Sequence, residues 1–240
     1  MNQTKNRIAT GVCLSQWNSD VQFDCLGDAQ KSFCMLRICQ VDCRTGKTWI
    51  DNRFKEYAKA CNKLSIPWVG YIYLQHHTVN TNSKFPNVAF MPQHDVWDVI
   101  RDVKLSLPYI TIIFDFDSPD FDIATLNRAV HLFEKAIANN SDKKFTTCVG
   151  IYPPHTELGE HSEFRYPLYT EVYLPKGHKS FSIPNNAVLC WCGENDLSES
   201  YRIYTTGDKI ELVKNRIGLD TIVALGEVAE AIYNYRGGIE

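Results

Sequence analysis

The chain has 240 residues, 44% of them hydrophobic and 22% charged, with a formal net charge of −3. This is an ordinary globular balance that can bury a sizeable core. The weak negative charge and the absence of any basic run of five exclude a nucleic-acid tail, and no stretch approaches the ~20 apolar residues of a membrane span.

Taken in chain order, short apolar runs alternate with amphipathic segments. The opening MNQTKNRIATGVCLSQW lacks the apolar core of a secretion signal, which predicts synthesis in the cytoplasm. Action outside the cell then requires release by lysis or carriage on a particle. Gly11–Ser15 reads as a strand, Val21–Phe23 as loop and Asp24–Lys31 as a short helix. Ser32–Ile38 reads as a buried strand. Within Asn52–Leu64, the positions of Phe54, Tyr57, Ala58, Cys61 and Leu64 predict a helix with one apolar face. Ile66-Pro67 ends that helix, and Trp68–Leu74 is the next strand.

Gln75–Pro92 reads as a loop, and His94–Lys104 as a helix with Val96, Trp97, Ile100 and Val103 on one side. Tyr109–Asp117 is a strand. Ile123–Asn139 is a helix striped by Leu126, Ala129, Val130, Phe133 and Ile137. Phe145–Tyr152 is a strand, Pro153–Asn186 is irregular, and Ala187–Cys192 is a strand. Tyr201–Thr205 and Lys209–Val213 predict a hairpin, Asp220–Val223 a short strand and Val228–Tyr235 a last helix. Neither an internal repeat nor a linker interrupts the order, so residues 1–240 read as one domain. The fold class is α/β: a distorted TIM-like (β/α) barrel with a strand-rich C-terminal part.

The most pointed chemistry lies in Thr111–Pro119, TIIFDFDSP. Alternation along a strand turns Asp115 and Asp117 to one face and Phe116 to the other. Two acids at the end of a barrel strand suit glycoside hydrolysis, which uses one to protonate the leaving oxygen and one as base or charge stabiliser. The same run also suits a polar strand end or a helix cap. Tyr71, Tyr73, Trp191 and Tyr204 occupy strand positions that suit either core packing or stacking on sugar rings. The nine cysteines include no C-x-x-C pair, so the chain reads as carrying reduced core thiols. His155, His161 and His178 match no zinc spacing, the acidic run from Asp115 to Asp122 lacks the EF-hand glycine, and a Gly-rich phosphate loop is missing. These readings predict neither metal nor cofactor.

Eight pieces in order resemble the glycoside hydrolase family 25 lysozymes, the Chalaropsis-type muramidases. Gly11-Val-Cys-Leu-Ser-Gln-Trp-Asn18 resembles the opening strand, Ser32–Arg37 the second strand, and Gly46–Asp51 with Arg53-Phe54 a loop and helix start. Ile66–Tyr73 and Asp115-Phe-Asp117 are similar to the next two strands, the latter falling where the family has D-x-E. Gly150-Ile-Tyr152, Leu189-Cys-Trp191 and the closing Tyr201–Tyr204, Gly207 and Gly218–Asp220 complete the likeness.

The resemblance implies a distorted barrel that hydrolyses the β-1,4 bond between N-acetylmuramic acid and N-acetylglucosamine in peptidoglycan. It implies Asp117 as the acid, Asp115 as its partner and Asp220 as a supporting charge. Cys13, which stands where the family has an Asp, and the four aromatics Tyr71, Tyr73, Trp191 and Tyr204 are then the candidate substrate contacts, and the resemblance implies peptidoglycan or a related glycan as the partner. Three departures stand out. Cys13 replaces an Asp, and an unperturbed thiol is mostly neutral at pH 7. Asp117 replaces a Glu and so loses one methylene of reach, roughly 1.5 Å. Thr205 stands where the closing motif has Gln. The chain therefore reads as a phage or bacterial lysin with impaired catalysis, or as an inactive barrel that binds glycan or serves in a virion or other larger assembly.

Overall fold

A computed structural model describes residues 8–18, 21–24, 26, 32–42, 47–76, 96, 98–99, 106–116, 123–140, 144–152, 160–173, 180–182, 186–193, 200–206, 209–215 and 221–237. Eight strands close a barrel: β1 (Ile8–Leu14), β2 (Phe33–Asp42), β4 (Trp68–His76), β5 (Tyr109–Phe116), β6 (Thr146–Tyr152), β7 (Leu168–Tyr173), β9 (Ala187–Gly193) and β12 (Thr221–Leu225). The first seven run parallel in that order, from β1 beside β2 to β7 beside β9. β12 closes the ring antiparallel between β9 and β1. The distortion of the barrel is this one reversed strand, together with a thin β6–β7 seam that pairs only Val149 with Leu168.

β3 (Thr48–Ile50) adds an antiparallel edge to β2 outside the ring. β8 (Ser180–Ser182), β10 (Ser200–Thr206) and β11 (Lys209–Asn215) form a separate three-stranded sheet, in which the expected hairpin is β10–β11. The segment 153–186, read from sequence as irregular, supplies β7 and β8. The helix expected over Asp24–Lys31 lies mostly outside the described residues, as does most of His94–Lys104.

Two hydrophobic clusters follow from strand alternation. The outer cluster takes Cys34 and Leu36 of β2, Ile72 and Leu74 of β4, and Ile110, Ile112 and Phe114 of β5. The helices α1 (Phe54–Lys63) and α2 (Ile123–Asn140) cover it. α1 buries Phe54, Tyr57, Ala58 and Cys61, the face its 3.6-residue period predicts. Phe54 meets Trp68 edge-on at a centroid distance of 5.8 Å. α2 buries Leu126, Ala129, Val130, Phe133 and Ile137.

The inner cluster fills the barrel with Phe33, Met35, Val69, Tyr109, Ile113, Cys148, Tyr169, Leu189, Ile222 and Ala224. β12 leads directly into α3 (Gly226–Gly237), whose Val228, Ala229 and Ile232 join this inner cluster. α3 thus seals the end of the barrel opposite the C-terminal ends of the parallel strands. Gly150 is required by close approach, since a Cβ there would sit 2.3 Å from Cδ1 of Tyr169. No disulfide joins the described cysteines; all but Cys13 are buried. Among the described residues no helix is long and apolar enough to cross a membrane.

Candidate active site

The open end of the barrel gathers the C-terminal ends of the parallel strands, and β12 begins there because it runs the other way. Inward-facing side chains near this end are mostly polar, whereas those deeper are mostly apolar, with buried Thr111 as an exception. On β5 the inward series is Tyr109, Thr111, Ile113 and Asp115; on β4 it is Val69, Tyr71, Tyr73 and Gln75. Asp115 is half-buried, and the Tyr73 hydroxyl donates to its Oδ2 at 2.7 Å. The tyrosine comes from the adjacent parallel strand, so two rigid elements fix this contact.

A second polar group forms one strand further round. Cys13 of β1 is half-buried, and its thiol is within hydrogen-bonding reach of Tyr71. Tyr71 is buried, with 8% of its surface exposed. Its hydroxyl is held well above the usual tyrosine range, first by burial and then by Cys13, while the Arg37 guanidinium works in the opposite sense. Arg37 follows Phe33 and Met35 on the inward face of β2, and its Nε donates to Asp51 Oδ2 at 2.8 Å. Asp51 also accepts the backbone N–H of Gln16 at Oδ2 and of Arg53 at Oδ1, each at 2.9 Å. One buried carboxylate therefore ties the turn after β1, the wall strand β2 and the start of α1 together.

The structure brings Tyr73 and Asp115 into contact, and likewise Cys13 and Tyr71. Trp191 of β9 is half-buried and packs against the inner cluster, as Cys13 and Tyr73 do. Asp117 and Asp220 lie outside the described residues; the neighbouring Phe116 and Thr221 end β5 and begin β12 at the open end. Tyr204 lies on β10, in the separate sheet, and its side chain is outside the described residues. In the sequence Arg37 and Asp51 stand only as members of separate motifs. Their partnership was invisible there, although an Arg in a buried strand demands a buried acid. Among the described residues no group of three or more His, Cys, Asp or Glu is placed to hold a metal ion.

No family model and no curated protein matches the sequence. Solved structures do match. The spore cortex lytic enzyme SleM of Clostridium perfringens aligns over 96% of this chain and 70% of its own, with a TM-score of 0.59 and 18% identity. The catalytic domain of endolysin ply40 from bacteriophage P40 of Listeria monocytogenes aligns over 97% and 98%, with a TM-score of 0.58 and 10% identity. A family 25 glycosyl hydrolase from Bacillus anthracis aligns over 94% and 92%, with a TM-score of 0.55 and 11% identity. The molecule is thus a distorted β/α barrel of the lysozyme and endolysin type. Its fold is that of the family 25 glycoside hydrolases, which its sequence motifs resemble.

Proposed function

We propose that this chain is a peptidoglycan-directed, lysozyme-like glycosidase domain whose catalysis is weakened by its altered acid set. The observation that carries the reading is the Tyr73–Asp115 contact at the open end of a closed barrel. A hydroxyl donor aimed at a carboxylate favours its charged form, so Asp115 suits stabilisation of an oxocarbenium-like transition state. The proton then comes from Asp117, two residues on, with Asp220 as a further charge. Trp191 and Tyr73 offer ring faces to the sugar. The fold shared with lysozymes and endolysins supports peptidoglycan as the polymer, met after release from a cell or as part of a particle.

A second reading keeps the groove and drops the chemistry. The Cys13–Tyr71 contact favours it, because a thiol engaged with a buried phenol supplies no full charge where the resembled family has a carboxylate. One experiment separates the two. Purified protein is incubated with defined peptidoglycan, and new reducing ends are sought by mass spectrometry. The catalytic reading expects new ends that vanish in Asp117→Asn and diminish in Asp115→Asn. If the parent chain yields no ends but binds the polymer, the glycosidase assignment fails and the binding reading stands.

A further inference from the structure

One feature of the open end extends beyond the barrel ring. β3 lies on the edge of β2, and Trp49 at its centre is 43% exposed. Trp49 pairs with Gln40, Gln40 with Tyr73, and Gln75 with Asp115. Residues paired across neighbouring strands share a face. The opposite face is fixed by Cys39, Val41, Leu74 and Phe114, all in the outer cluster, and by Ile50, which packs against it. Trp49, Gln40, Tyr73, Gln75 and Asp115 therefore lie along one continuous face that runs from the sheet edge to the acid.

From Trp49 to Gln75 the track is aromatic and amide-lined, and it ends beside two acids, Asp42, which pairs with Gln75, and Asp115. Gln40 Nε2 donates to Gln75 Oε1 at 2.5 Å. Among the described residues neither side chain makes a further hydrogen bond, so an amide oxygen on Gln40 and N–H donors on Gln75 remain for a ligand. The Lys47 ammonium sits 5.0 Å from the Trp49 ring centroid and steadies the indole. Uncharged amide groups beside an aromatic plane suit hydroxyl and acetamido groups rather than phosphate or a metal. From β3 to β5 the track crosses three strand spacings, about 14 Å at ~4.8 Å each. A single sugar ring is too short to touch both Trp49 and Asp115.

We propose that Trp49 and the Gln40–Gln75 amide pair form an outlying subsite that binds the distal sugars of an extended β-1,4-linked N-acetylhexosamine chain. This deepens the glycan reading of the open end and rests on it. The test measures binding of muramyl oligosaccharides of two to eight sugars by calorimetry, in an Asp117→Asn background so that no bond is cut. Affinity is expected to rise with chain length beyond the disaccharide. Trp49→Ala should lower affinity for the long oligomers by about tenfold while leaving the disaccharide unchanged. Trp49→Phe should retain most of the gain, and Trp17→Ala, at a residue 78% exposed on the turn after β1, should change nothing. Melting temperatures of all variants check that folding is intact. The inference is overturned if Trp49→Ala binds long oligomers as tightly as its parent, or loses short and long ones equally. Equal affinity of the parent for all lengths also overturns it and leaves the glycan reading standing. If the parent binds no oligomer, both fall together.

Discussion

Replacing Asp51 by Ala tests the node that ties the open end of the barrel together. The Asp51 side chain is fully buried and its partner Arg37 is only 11% exposed. Removing one member of such a pair leaves an uncompensated buried charge and costs about 3–5 kcal/mol. The Gln16 and Arg53 amides lose their acceptor as well. Each such bond contributes about 0.5–1.5 kcal/mol, though not additively. The sum lands near 4–5 kcal/mol, a large share of the 5–15 kcal/mol that stabilises a typical protein. In urea unfolding followed by tryptophan fluorescence, a slope of about 3 kcal/mol/M moves the midpoint down by about 1.5 M. The double variant Arg37→Met/Asp51→Ala removes the stranded charge and should recover at least about 2 kcal/mol of the loss. A loss under about 1 kcal/mol in the single variant refutes the reasoning. So does a double variant no more stable than Asp51→Ala.

Three further outcomes follow from the geometry. Tyr73→Phe removes the hydroxyl that donates to Asp115, a bond to a charged group worth about 1.5–3 kcal/mol. Glycan cleavage should fall at least tenfold in kcat while the melting temperature drops by several degrees, and an unaltered kcat would count against Asp115 as the stabilising charge. Burial, helped by the Glu227 carboxylate, pushes the Cys148 thiol from its ordinary 9.0 up to about 12. A raised folded-state value means that its stabilisation is complete below about pH 9 and is lost as pH rises toward 12, amounting to about 2–3 kcal/mol by pH 11. The urea midpoint should therefore drop between pH 8 and 11, and drop less in Cys148→Ala; an identical slope in that variant would refute this. Gly150→Ala drives a methyl into the Tyr169 ring and backbone oxygen, at 2.3 and 3.0 Å. That overpacking should cost about 1–3 kcal/mol and lower the melting temperature by several degrees; no drop would mean that the β6–β7 seam yields freely.

What the sequence made legible is the part governed by uninterrupted periodicity. The stripes of α1 and α2 name their buried residues because a helix packed on one side has a single answer. The apolar runs of β2, β4, β5 and β6 announce strands covered on both sides. β7 is not legible in the sequence because Leu168–Tyr173 is short, sits among Pro, His and Gly, and joins β6 through one paired position. β3 is not legible because three residues carry no period. Of the candidate site, Asp115 and its strand-end position were readable from alternation. Its hydrogen bond to Tyr73 depends on the register between β4 and β5, which no local pattern encodes. The Arg37–Asp51 pair spans fourteen residues of chain and a change of element, so only the folded molecule joins its halves.

β2 shows why the polar lining of the open end was the hardest part to read. Its sequence reading stops at Ile38, yet the strand runs on to Asp42. The register with β4 shifts between Arg37 and Cys39, so that one extra residue, Ile38, stands opposite no partner. Ile38 and Cys39 consequently both face the outer cluster, and strict alternation breaks at that point. Before the bulge the odd-numbered residues Phe33, Met35 and Arg37 face inward; after it the even-numbered Gln40 and Asp42 do. Without the bulge, Cys39 and Val41 would line the open end, while Gln40 and Asp42 would be pressed against α1 with polar groups to satisfy there. On its other edge β2 stays in register: the Ile38 carbonyl accepts the Asp51 N–H at 2.9 Å, one step beyond the Cys39–Ile50 pair, which seats Asp51 beside Arg37. A single inserted residue thus turns Gln40 toward Gln75. The apolar lower barrel and the polar groove are two registers of one strand.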